Sequence, residues 1–175
     1  MLRYSFQNFD AKTMVRVAGR NLPISHKASY ELTAFIKNKN VDSTIRALES
    51  VIRLELVVPY RRYNRDVAPK AGVGPGRYPV KAAIAVIKLL KNLKGAAKSK
   101  GLDLQKLTII HATAPKGPKR RRYGRKMGFE RKNTHIELVA KEVEIKPKLN
   151  EIQRGPAKQE NVSLGKTEKP TKVKQ

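Results

Sequence analysis

Apolar residues along this chain recur with two distinct periods, and each period marks a kind of element. Val15 and Val17 alternate with Arg16, the two-residue period of a half-buried strand at an edge, and Pro23 closes it. Residues 1–13 ahead of it read as an N-terminal arm. Ser25 is placed to cap a first helix from His26 to about Lys37, where Ala28, Leu32, Phe35 and Ile36 share one face. After Asn38-Lys39-Asn40, Asp42 or Ser43 caps a second helix with Val41, Ile45, Leu48 and Ile52 on one side. The run Leu54 to Val58 either extends that helix or turns extended before Pro59. Residues 59–79, PYRRYNRDVAPKAGVGPGRYP, form a long loop whose prolines and glycines exclude regular structure. Pro79 suits the first turn of a third helix, which runs to about Lys100 and stops at Gly101. Its stripe is Ala83, Val86, Ile87, Leu90, Leu93 and Ala97, with Lys81, Lys88, Lys91, Lys94 and Lys98 around the rest. Two strand-like runs follow, Leu107–Ala114 and Thr134–Ile145, on either side of a basic segment. From Lys146 onward apolar residues become sparse, the composition of an unstructured tail.

The order β-α-α-α-β-β predicts an α+β fold: three helices packed on a small antiparallel sheet. The expected organisation is an arm at 1–13, a binding domain at 14–145, and a basic, disordered C-terminal tail at 146–175. Within the domain a long basic β-hairpin, about 107–140, protrudes. A strand of about 12 residues spans about 40 Å, enough to carry its tip well outside a body of this size.

Charge sharpens the functional side. The 175 residues include 39 Lys or Arg against 14 Asp or Glu, a net +25. That excess implies an acidic partner through most of the protein's life. With no cysteine, disulfides, thiolate chemistry and zinc fingers are excluded together. No apolar run approaches the roughly 20 residues of a membrane span. The start, MLRYSFQNFD, lacks a signal-peptide pattern, so the cytosol is the expected address and the Asn161-Val162-Ser163 sequon a chance match.

The charge concentrates in two places. Between Pro115 and Lys132 lie nine Lys or Arg and one acid, Glu130, with Tyr123 and Phe129 interleaved. Arginines there can grip phosphates bidentately or stack on unpaired bases. The second place is Tyr60-Arg61-Arg62-Tyr63-Asn64-Arg65, where aromatics alternate with cations. The plainer arrangement is one tyrosine packed beneath the loop and arginines capping helix carbonyls, and both are expected to hold in part. Gly72-Val73-Gly74-Pro75-Gly76-Arg77 fits neither a P-loop nor a dinucleotide fingerprint. His26, His111 and His135 show no metal spacing, and no carboxylate pair suggests catalysis. Glu31, Asp42 and Glu49 sit where they serve a helix dipole or pair with Lys and Arg.

Four segments together resemble a known family: VRVAGRNLPISHKASYELTAFIKNKNVDSTIRALESV, VPYRRYN, GRYPVKAAIAVIKLLKNLKGAAKSKGLD, and the hairpin ending THIEL. It is the universal large-subunit ribosomal protein family numbered twenty-two in bacteria and seventeen in the eukaryotic cytosol. YRRYN and GRYP are closer to its archaeal and eukaryotic branch. The resemblance implies a structural constituent of the large ribosomal subunit, with no enzymatic role and no cofactor or metal. Its partners would be large-subunit rRNA, neighbouring large-subunit proteins, and the nascent polypeptide at a hairpin tip lining the exit tunnel.

The rRNA contacts expected are Arg16, Tyr60, Arg61, Arg62, Tyr63, Arg65, Lys70, Arg77, Tyr78 and Lys81 on the body. On the hairpin they are Lys116, Lys119, Arg120, Arg121, Arg122, Tyr123, Arg125, Lys126, Arg131, Lys132 and His135. The tunnel tip would be Arg121, Arg122, Tyr123, Gly124 and Arg125. One departure is that the hairpin is a few residues shorter than in many relatives and lacks their Pro-Arg-Ala near the turn. Two rival readings are a DNA-architectural protein gripping a minor groove with its basic arm, and an RNA-modifying enzyme.

Overall fold

The alternation around Val15 becomes strand β1 (Met14–Leu22), with Val15 buried and Arg16 exposed. The computed structural model describes residues 4–143, so the expected tail at 146–175 lies outside the described residues. Helix α1 spans His26–Ile36, α2 spans Val41–Ile52 and α3 spans Val80–Ser99. Strands β5 (Leu107–Thr113) and β8 (Thr134–Glu142) join β1 in an antiparallel sheet of order β1-β8-β5. β1 is an edge strand, and β8, with five consecutive buried residues from Ile136 to Ala140, is central. A register shift between Ile109 and His111 marks a bulge in β5.

One face of this sheet packs against the helices. Ile136, Leu138 and Ala140 of β8 join Leu32 and Ile36 of α1, Leu48 and Val51 of α2, and the α3 stripe in one core. The whole α3 stripe read from the sequence is buried, and Ala82 and Leu89 widen it. Each fully buried Leu or Ile contributes about 1.5–3 kcal/mol. α3 ends as its Gly101 predicts. Gly101 takes φ +73°, its N–H donates to the Lys98 carbonyl, and the Leu102 N–H donates to that of Ala97. This double closure satisfies two carbonyls that the helix end leaves open.

The opposite face is covered by the N-terminal arm. Ser5 donates to the Glu137 carboxylate through its N–H at 2.9 Å and its hydroxyl at 2.7 Å. Phe6 lies 5.2 Å from the His111 ring, and the Arg16 guanidinium sits 4.5 Å from both the Tyr4 and Phe9 ring centres. Glu137 and Val139 are buried on that side.

Two expectations are corrected, and of the two courses left open to Leu54–Val58 the one that leaves the helix before Pro59 is taken. The α2 cap is Asn40, whose side chain accepts the Asp42 N–H at 2.9 Å, rather than Asp42 or Ser43. Asp42 instead pairs with Lys94 and ties α2 to α3. Leu54 does not extend α2: it takes φ +65° just after the helix, which turns the chain away. The loop 59–79 does contain regular structure. Its strands β2 (Val58–Pro59), β3 (Pro69–Lys70) and β4 (Gly74–Arg77) pair in the order β2-β4-β3. Pro59, Pro69 and Pro75 are tolerated because the ladders are only two residues long.

Candidate nucleic-acid interface

Glu31 holds the aromatic-basic loop in place. It faces inward from α1, is buried, and its carboxylate accepts three successive backbone N–H groups: Arg61 at 3.1 Å, Arg62 at 2.9 Å and Tyr63 at 2.7 Å. Charge-assisted bonds to a buried carboxylate are the strong kind. They fix the turn, and Asn64 completes it at φ +53°. The side chains of Arg61, Arg62 and Arg65 are thereby turned to the exterior. The Arg62 guanidinium lies 4.8 Å from the Tyr30 ring centre and 5.5 Å from that of Tyr63, and its Nη1 donates to the Tyr30 hydroxyl at 3.0 Å. That hydrogen bond raises the Arg62 pKa further above its already high value. Arg65 Nε donates to the Arg61 carbonyl.

Tyr60 departs from its expected role. It is 4 % exposed and belongs to the core, so it has no free face for a base, and burial pushes its phenol pKa up. Its N–H donates to the Pro75 carbonyl at 2.9 Å, continuing the pairing of β2 with β4, and it is buried like Val58 two residues before it. Tyr63 is half-buried, edge-on to Tyr30 at 5.4 Å and to His26 at 5.9 Å. Lys70, Arg77 and Lys81 are exposed, and Tyr78 is half-buried beside Lys81 at the start of α3.

The hairpin continues beyond the sheet. The His135 N–H donates to Pro115, Lys116 bridges to Thr134, and the Gly117 N–H donates to Asn133. Strands β6 (Arg120–Arg121) and β7 (Glu130–Arg131) then pair, closed by a 3-10 turn at Gly124–Lys126 with Gly124 at φ +59°. Residues 118–132 are all exposed, Tyr123 at 94 %. The Lys119–Glu130 ion pair holds the Glu130 carboxyl below the usual carboxylate range and neutralises the segment's only acid. Lys116, Lys119, Arg120, Arg121, Arg122, Arg125, Lys126, Arg131 and Lys132 thus ring a tip that also shows Tyr123, Met127 and Phe129.

Besides Arg62, Arg65 and Lys119, two more expected contacts already have partners within the chain. Arg16 is exposed yet stacked on Tyr4 and Phe9, and His135 Nδ1 accepts the Asn21 N–H at 3.0 Å. The reading from sequence missed Glu31, since a helix acid carries no sign of which amides it will receive. Among the described residues no group of His, Cys, Asp and Glu could hold a metal ion. None of the described helices is long and apolar enough to cross a membrane.

An α+β body with a pinned cationic loop and a basic hairpin has the build of a nucleic-acid-binding protein. The family model described as ribosomal protein L22p/L17e matches residues 17–141. A protein of Thermofilum pendens named large ribosomal subunit protein uL22 is 37 % identical over 148 residues, covering 81 % of this chain and 97 % of its own. Proteins of the same name from Cenarchaeum symbiosum (40 % identical, 79 % and 96 % covered) and Nitrosopumilus maritimus (39 %, 80 % and 97 %) are similar to it as well. The chain belongs to the ribosomal protein L22p/L17e family, on its archaeal and eukaryotic side, and is not an enzyme.

Proposed function

We propose that this protein is a constituent of the large ribosomal subunit that binds and organises large-subunit rRNA, with its hairpin tip lining the exit tunnel for the nascent chain. The family match across residues 17–141, with relatives named as large-subunit proteins over nearly their full length, carries the reading. The chemistry agrees with it. A surplus of +25 needs a polyanion, and the guanidinium groups of Arg61, Arg62 and Arg65 face outward from a loop already fixed. Order established before binding lowers the entropic cost of the complex. The tip has no core of its own, so its role depends on surroundings supplied by the partner. Arg121, Arg122, Tyr123, Gly124 and Arg125 are the residues assigned to the tunnel.

Sedimentation of the tagged protein tests this directly. It should travel with large subunits and leave that fraction when magnesium chelation unfolds them. Migration at the top of the gradient under both conditions would refute the reading.

A further inference from the structure

Three clefts of nearly equal size follow one another along the outer flank of α1. The first, about 620 Å³, lies between the start of that helix at Lys27, Tyr63, and the hairpin stem at Lys116 and Lys132. The second, about 640 Å³, is lined by Tyr30, Ala34, Lys37 and Arg62. The third, about 630 Å³, reaches from Ala34 to Lys39, Arg61 and Arg65. Neighbours share walls: His26 and Tyr63 bound the first two, while Ala34, Lys37 and Arg62 bound the second and third. Each volume falls in the range of about 300–1,000 Å³ typical of small-molecule clefts.

Every cleft brings at least two cations. The two carboxylates present are already occupied: Glu130 by Lys119, and Glu31 by three backbone amides. The partitions between clefts are flat groups, the Tyr30 and Tyr63 rings with Arg62 lying over both. Flat π surfaces alternating with cations are what a splayed single strand needs, base on ring and phosphate on cation. A duplex keeps its bases stacked inside and would leave such clefts empty.

We propose that the flank of α1 is a trough for a single-stranded stretch of RNA, three successive unpaired nucleotides, one to each cleft. This rests on the rRNA-binding reading and adds to it the conformation of the RNA taken at this site.

The test uses the full chain and two fluorescent probes of equal length. One is an unstructured oligoribonucleotide of alternating cytidine and uridine, and the other a blunt RNA duplex. Ala34 is exposed at the middle of the trough. Ala34→Glu should weaken single-strand binding about tenfold and leave the duplex within about twofold. Ser99→Glu makes the same charge change at the far end of α3, exposed and outside the three clefts, and should move either probe by less than about twofold. Ala34→Leu fills the trough without a charge and should act in the same direction, more weakly. Circular dichroism verifies that each variant keeps its helices. Equal losses for Ala34→Glu and Ser99→Glu, or equal losses on both probes, would overturn the trough while leaving rRNA binding intact. If the unaltered chain neither binds RNA nor sediments with large subunits, the broader reading falls as well.

Discussion

The two basic regions of this protein are alike in composition and opposite in construction. In the loop at 60–65, Tyr60 is buried and the backbone is held at three successive amides by the Glu31 carboxylate. In the tip at 118–132 every residue is exposed, and order comes from two ladder pairs, three further backbone bonds (Arg122 N–H to Phe129, Met127 N–H to Gly124, Phe129 N–H to Lys126), and the Lys119–Glu130 ion pair. Exposed ion pairs contribute little. The same residue types therefore serve two purposes. Anchored cations hold a partner from the first contact, whereas cations on an arm act after the body has docked.

The contrast can be broken most severely at its carboxylate. Glu31→Ala strands three amides and should cost about 3 kcal/mol in denaturant unfolding, with loss of the loop's order. Removing the tip's acid by Glu130→Ala should leave the unfolding midpoint where it was. Equal effects would mean the loop is no better held than the tip.

Two glycines sharpen the same comparison at smaller scale. A Cβ on Gly76 would stand 2.4 Å from Val57 Cγ1 and 3.1 Å from the Val58 carbonyl oxygen, so Gly76→Ala should cost about 1–3 kcal/mol. Gly124 has φ +59° and open space around its Cβ position. Gly124→Ala strains the turn by about 1–2 kcal/mol locally, yet it should not shift the global unfolding midpoint, because the tip packs against nothing.

The smallest expected effect concerns the arm over the sheet. Burial, with Lys37 nearby, lowers the His111 pKa below its ordinary value, and Glu137 opposes this only in part. The neutral ring is thus the folded form. Its contribution is complete above about pH 6.5 and is lost as pH falls through the lowered folded value. Between about pH 7 and pH 5 the unfolding free energy should decline modestly, and His111→Gln should flatten that slope. An unchanged slope would remove His111 from the arm's hold.

Much of the fold was legible because local and global signals agree along it. The α3 stripe, Pro79 before that helix and Gly101 after it each follow from the residue itself. The paired hairpin arms follow from two strand-like runs around a turn-rich segment. What escaped depended on distant partners. The short ladders of β2, β3 and β4 hide behind prolines and glycines, since two-residue pairings carry no period. Tyr60 and Tyr63 look equivalent in YRRYN, but Tyr60 continues the pairing of β2 with β4 and is buried in register with Val58, which the sequence alone does not reveal. Glu31 reads as an ordinary helix acid until Arg61, Arg62 and Tyr63 are folded against it. The arm's place over Glu137 rests on contacts more than 100 positions apart in sequence.

The division between anchor and tip is tested most directly by the occupancy of two triple variants in purified large subunits, measured by quantitative mass spectrometry. Arg61→Ala, Arg62→Ala and Arg65→Ala together should deplete the protein from subunits, each desolvated charge-assisted bond lost costing roughly 1.5–3 kcal/mol. Arg121→Ala, Arg122→Ala and Tyr123→Ala together should leave occupancy near that of the unaltered chain while changing the passage of stalling nascent peptides. Loss of the tip variant from subunits with retention of the loop variant would contradict the account.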